Sequence, residues 1–131
     1  AKICSKKAYM SDDGSSFVFI ASIMGIVGRP GLIGYSASKG ALIAAVHSMA
    51  LELAPKNIRV NLVSPGTIMT KMIENALTNM EEEQRNKRLN EYPLGFGTAE
   101  DIANIVIFLL SDKSKWITGS NIIIDGGYTA K

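Results

Sequence analysis

At 131 residues, with 47% apolar and 20% charged side chains, the chain has the composition of a single globular domain able to bury a core. Its net charge of +2 is too small to argue for nucleic acid or an anionic membrane as a partner. The longest apolar run, Ile105 to Leu110, is far short of the roughly 20 residues that span a bilayer. One cysteine, Cys4, excludes an internal disulfide framework, and the opening "AKICSKKAYMSDDG" shows no apolar leader, so cytoplasm is the expected compartment.

Residues 1–10 read as the end of a helix, stopped by the polar cluster Ser11-Asp12-Asp13-Gly14. "SFVFIAS" (16–22) is rich in β-branched and aromatic residues and predicts a buried strand. A glycine-punctuated loop then leads into a long helix, 32–54, ended by Pro55 and Asn57. "IRVNLVSPG" (58–66) predicts a second buried strand, broken by Pro65-Gly66.

Residues 70–92 form a polar, weakly amphipathic helical stretch, expected to be mobile. Its acids, Glu81-Glu82-Glu83, precede Arg85, Lys87 and Arg88, a pattern that reads as a solvated helix surface. Thr98 is a helix N-cap with acids following in the first turn, so 98–112 predicts a helix. "SNIIIDGG" (120–127) predicts a third strand ended by a glycine turn. Apolar strands separated by helices argue for an α/β fold, with a parallel sheet covered by helices on its faces.

Three residues within this frame suit proton transfer. Tyr35 and Lys39, at i and i+4, share one helix face. A free tyrosine, with a pKa near 10, is a poor base at neutral pH, and a nearby ammonium favours its phenolate. Ser22 falls where a strand ends, a common location for functional groups in parallel α/β proteins. Its hydroxyl there would orient a carbonyl oxygen. Four tyrosines and ten lysines supply ~0.3 such Tyr/Lys pairs by chance, so the pair alone carries little weight.

The surroundings of the pair change that. "ASIMGIVGRPGLIGYSASKGAL" strongly resembles the active-site segment of the short-chain dehydrogenase/reductase family, in which a serine lies 13 residues ahead of the Y-x-x-x-K tyrosine, as Ser22 does of Tyr35. The resemblance continues in "IRVNLVSPGTIMT", similar to the family's N-x-x-x-P-G motif, in "PLGFGTAEDIANIVIFLLSD" and in "WITGSNIIIDGGY". Within the family the chain looks most like 3-oxoacyl-[acyl-carrier-protein] reductases and sugar or polyol dehydrogenases.

The resemblance implies an NAD- or NADP-dependent oxidoreductase acting on a small carbonyl or alcohol substrate. Tyr35 would be the general acid/base and Ser22 would hold the substrate oxygen. Lys39 would hydrogen-bond the nicotinamide ribose and lower the tyrosine pKa. Pro65, Gly66 and Ile68 would line the nicotinamide side, with the Ile68 backbone on the carboxamide, and Thr70 would contact the carboxamide or the pyrophosphate. Residues 71–92 would be the substrate lid. Met24 and Met69 are candidate substrate contacts beside Ser22 and Tyr35. Met69 and Met72 could line a substrate pocket, but core filling is the favoured reading for both.

The family's glycine-rich phosphate loop, its N-N-A-G stretch, the residue that selects NAD or NADP and the asparagine of a catalytic tetrad are not found in the sequence. The expectation is therefore a partial domain, 1–131, equivalent to the C-terminal half of a Rossmann-type doubly wound fold. Its first strand would have an uncovered edge prone to self-association. A non-catalytic assembly module is the alternative function. "YPLGFG" lacks the arginine that many relatives carry between the two glycines.

His47, the sole histidine, has no evident ligand or acid/base partners and reads as a packing or subunit-interface residue; no metal site is expected. The small side chains of Ala37, Ala41, Ala44, Ala45 and Ser48 allow two readings, a homo-oligomer interface on the 32–54 helix or packing against its own sheet. Met49, Leu42 and Val46 already provide a core-facing stripe, which favours the interface.

Overall fold

The computed structural model describes residues 14–130, in which three short apolar runs form one parallel sheet. The strands are β1 (Ser15–Ile20), β2 (Ile58–Pro65) and β3 (Asn121–Ile124), in the spatial order β1-β2-β3. β2 is central, and Val60, Leu62 and Val63 are completely buried there together with Asn61 and Ser64, so both of its faces are covered. The register pairs Phe17 with Val60 and Phe19 with Leu62 on one side, and Leu62 with Asn121 on the other. Among the described residues no strand pairs with the outer edge of β1. The expected helix at 1–10 and Cys4 lie outside the described residues.

Helices cover both faces of the sheet. Strand side chains alternate between faces, so Phe17, Phe19, Val60 and Leu62 lie together. They cluster with Val46 and Ala50 of α1 (Ile33–Leu53). The opposite face meets α4 (Ala99–Leu110), where the Ser16 hydroxyl donates to the Leu109 carbonyl at 2.8 Å and Leu109 is fully buried. The expected cap of α4 is a reciprocal capping box. Asp101 N–H donates to Thr98 Oγ1, while Thr98 N–H and Oγ1 donate to Asp101 Oδ2. These bonds from Thr98, backbone first, hold the Asp101 carboxyl below the ordinary aspartate value despite some desolvation.

Asn61 of the N-x-x-x-P-G motif is fully buried on β2. Its amide donates to the Ile117 carbonyl at 2.8 Å and accepts from Ser120 N–H at 3.1 Å. It thereby fixes the segment that delivers β3 to the sheet.

Two expectations are corrected. The 70–92 stretch is two helices, α2 (Lys71–Thr78) and α3 (Glu82–Asn90), separated at Asn79–Glu81. α2 is clearly amphipathic rather than weakly so, with Leu77 buried and Ile73 and Ala76 half-buried on one stripe. The polar stretch averaged that stripe away. The packing alternative for the small residues of α1 also falls. Val46 is buried, Leu42 and Met49 pack beside it, and Ala37, Ala41, Ala44, Ala45 and Ser48 all face solvent. His47 is exposed on the same helix. Among the described residues no helix is long and apolar enough to cross a membrane.

Candidate active site

The site is built where β1 and β2 end and α1 begins. After β1 the chain enters a tight 3-10 turn, Ile23–Gly25, capped by Ser22, whose Oγ accepts from Met24 N–H at 3.2 Å. Ser22 is 9% exposed, and its hydroxyl hydrogen is not used in that bond, so it remains available to donate.

The turn packs directly onto α1. A Cβ at Gly25 would lie 2.8 Å from both Gly40 N and the Lys39 carbonyl carbon, a contact that only glycine permits. This close approach sets Ser22 against the helix that carries Tyr35 and Lys39. Lys39 Nζ donates to the Ile20 carbonyl at 3.2 Å and lies 5.7 Å from the centre of the Tyr35 ring. The ammonium is thus tethered to the end of β1 and held beside the phenol. Tyr35 itself is 46% exposed.

The other wall comes from the segment after β2. Gly66 continues the pairing, donating to the Ile124 carbonyl at 2.8 Å, and a Cβ there would meet Asp125 Cα at 2.8 Å. Beyond it, Thr67 O accepts from Gly97 N–H at 3.1 Å and Met69 N–H donates to Gly97 O at 2.8 Å. In a parallel bridge of this kind the intervening residue directs its own N–H and C=O to the opposite side. Ile68 therefore presents one backbone donor and one backbone acceptor away from Gly97. Thr70 caps α2, its Oγ1 accepting from Ile73 N–H at 3.4 Å.

These walls enclose a cavity of about 460 Å³ into which Ser22, Met24, Tyr35, Gly66, Ile68 and Thr70 all face. Six of the residues singled out in the sequence are thus brought together from three separate elements. Lys39, Pro65 and Met69 do not line the cavity. Lys39 lies behind Tyr35, Pro65 closes β2, and Met69 is exposed beside Met72, which does line it.

Sequence reasoning did not single out three aliphatic lining residues, Ile23, Leu32 and Ile73, nor four that carry polar groups, Arg29, Thr67, Arg88 and Tyr92. Tyr92 is buried, its hydroxyl sharing a 2.7 Å hydrogen bond with Thr67 Oγ1, and its ring packs on Phe96 and Tyr128 at 4.9 and 4.8 Å. The turn holding Tyr128 is organised by Asp125, whose carboxylate accepts from Gly127 N–H and from both Thr129 N–H and Oγ1. Burial raises the Asp125 carboxyl, but the bonds from Thr129, Gly127 and Tyr128 outweigh it and hold the group below its ordinary value. The aromatic pair in "YPLGFG" was the one signal for Tyr92; Arg88 was hidden in a charge run.

Comparison with known proteins agrees with this arrangement. A family model described as enoyl-(acyl carrier protein) reductase matches residues 1–129. The 3-oxoacyl-[acyl-carrier-protein] reductase of Thermotoga maritima is 45% identical over 113 residues, covering 86% of this chain and 44% of that one. A short chain dehydrogenase family protein from Francisella tularensis superposes with a TM-score of 0.82 at 41% identity, covering 92% of this chain and 53% of that one. A 4-hydroxyisoleucine dehydrogenase complexed with NADH superposes with a TM-score of 0.82 at 39% identity, covering 88% and 47%. The chain spans about half the length of the curated relatives it matches. With that match over nearly its full length, and with its three parallel strands and flanking helices, the chain belongs to the short-chain dehydrogenase/reductase family.

Proposed function

We propose that these residues form the active-site half of an NAD- or NADP-dependent oxidoreductase that interconverts a ketone and an alcohol, the dinucleotide phosphates being held mainly by residues outside this sequence. One observation carries the reading. The Ser22 hydroxyl, the Tyr35 phenol and the Ile68 segment reach a single cavity from three elements.

The residues present fit a nicotinamide. Its carboxamide has one donor group and one acceptor, the complement of the backbone pair that Ile68 presents, and Gly66 lines the cavity beside it. Gly66, Ile68 and Thr70 would hold that end of the cofactor, with Pro65 directing their segment out of β2, and the cofactor supplies or accepts the hydride when bound.

The chain's own side chains handle the oxygen and its proton. Ser22 donates to the substrate oxygen and orients it, since its Oγ has spent only an acceptor site on Met24. Tyr35 gives a proton to that oxygen in reduction and takes it back in oxidation, and its partial exposure lets the proton exchange with water. Lys39 keeps a positive charge beside the phenol and, with one donor on Ile20, has two more for ribose hydroxyls. Met24, which lines the cavity, contacts the substrate, and 71–92 closes over it as a lid. The exposed small-sided face of α1 would pair with a second copy in the cytoplasm.

Titrating the intact protein with NADH and NADPH, following nicotinamide fluorescence, is expected to give saturable binding of at least one. Absence of binding to either would leave an assembly module as the better reading.

A further inference from the structure

We propose that the carbonyl substrate of this site carries an anionic group, held by the guanidinium groups of Arg88 and Arg29. The inference rests on the oxidoreductase reading above and names its substrate class.

The cavity that takes in Ser22 and Tyr35 is also lined by both arginines, and among the described residues no acidic side chain lines it. Arg88 lies in the last turn of α3, half-buried, and its Nε is out of contact with solvent yet has no hydrogen-bond partner. Glu91, three residues on, has Oε2 buried and equally unpartnered, so the helix does not satisfy its own charge, and Glu91 does not line the cavity. Arg29 arrives from the loop before α1, and among the described residues its guanidinium makes no hydrogen bond or ion pair.

Burying part of a cation without a partner is costly, and the cost is recovered when an anion completes it. The described cavity wall offers no compensating charge: Ile23, Leu32 and Ile73 supply hydrocarbon, and the Thr67 and Tyr92 hydroxyls are neutral and bonded to each other. That same wall keeps the local dielectric low and strengthens any charge pair formed inside. A guanidinium presents a planar fork of donors that matches two oxygens of a carboxylate, phosphate or sulfonate. Ser22 and Tyr35 would take the ketone oxygen while the arginines take the anionic end, fixing a substrate at two points.

The test uses matched pairs of ketones on the intact protein: acetoacetate against methyl acetoacetate, and dihydroxyacetone phosphate against dihydroxyacetone. The expected result is a kcat/KM at least tenfold higher for the anion in one or both pairs, the pair identifying carboxylate or phosphate as the better ligand. Arg88→Leu should lower kcat/KM for the preferred anion roughly tenfold to a hundredfold more than for its neutral partner, with Arg88→Lys intermediate and Arg29→Leu similar. Equal losses on both members of a pair, or a preference for the neutral ketones, would overturn the inference and leave the oxidoreductase reading standing. Loss of NADH or NADPH affinity in place of anion preference would also overturn it, assigning the arginines to cofactor phosphates. If no ketone is reduced, the oxidoreductase reading fails separately. Calorimetric titration with acetoacetate and with dihydroxyacetone phosphate then decides the anion site: binding lost in Arg88→Leu supports it, and no binding overturns it.

Discussion

Replacing Tyr35 by phenylalanine is expected to lower kcat by about a thousandfold or more while leaving NAD(P)H affinity and folding stability unchanged. The substitution removes one oxygen and keeps the ring against which Lys39 lies at 5.7 Å. Among the described residues the hydroxyl has no hydrogen-bond partner, and the residue is nearly half exposed, so its loss orphans nothing. The change in unfolding free energy should therefore stay within about 0.5 kcal/mol. Steady-state kinetics, nicotinamide fluorescence and thermal unfolding check the three parts together. Turnover close to that of the parent protein would remove Tyr35 from the acid/base role.

Gly25→Ala is the second large effect, and it acts through position rather than chemistry. The new methyl group would sit 2.8 Å from Gly40 N and from the Lys39 carbonyl carbon, both backbone atoms of α1 that cannot rotate aside. The 3-10 turn must back away from the helix, at a cost of about 1–3 kcal/mol. Ser22 caps that turn, so its hydroxyl moves relative to Tyr35 and Lys39. A displacement of that kind costs on the order of a hundredfold in kcat/KM. Denaturant unfolding should show the stability loss and kinetics the activity loss. Parent-like values in both would mean that the turn and helix do not set the site geometry.

The frame of the molecule was legible because its local signals agree with its tertiary environment. β2 is buried on both sides because helices cover both faces of the sheet, so Ile58, Val60, Leu62 and Val63 could be read as a strand without strict alternation. α1 was legible from its stripe of Leu42, Val46 and Met49, and α4 from the Thr98 cap. Ser22, Tyr35 and Lys39 were singled out by the family resemblance of the segment around them, since the Tyr/Lys pair alone carries little weight. The 3-10 turn and loop use up the residues between the end of β1 and the first turn of α1.

What escaped the sequence was contact between elements distant in the chain. Thr67 and Tyr92 meet through a 2.7 Å hydrogen bond that neither neighbourhood announces. Arg88 belongs to a charged run in which an acidic block precedes a basic one, and only the placement of α3 over the cavity turns one of those cations inward. The two-helix form of 71–90 was hidden for a related reason. The few apolar residues of α2 are diluted by its polar neighbours until the stripe of Ile73, Ala76 and Leu77 is seen against the rest of the molecule.

The most direct test of the central claim follows a single atom. The protein is mixed with NADH or NADPH dideuterated at C4 of the nicotinamide, together with a ketone that it reduces. The account predicts an alcohol bearing deuterium on its carbinol carbon, with no such product from Tyr35→Phe within the same time. Alcohol formed without deuterium, or equal transfer by the Tyr35→Phe protein, would contradict it.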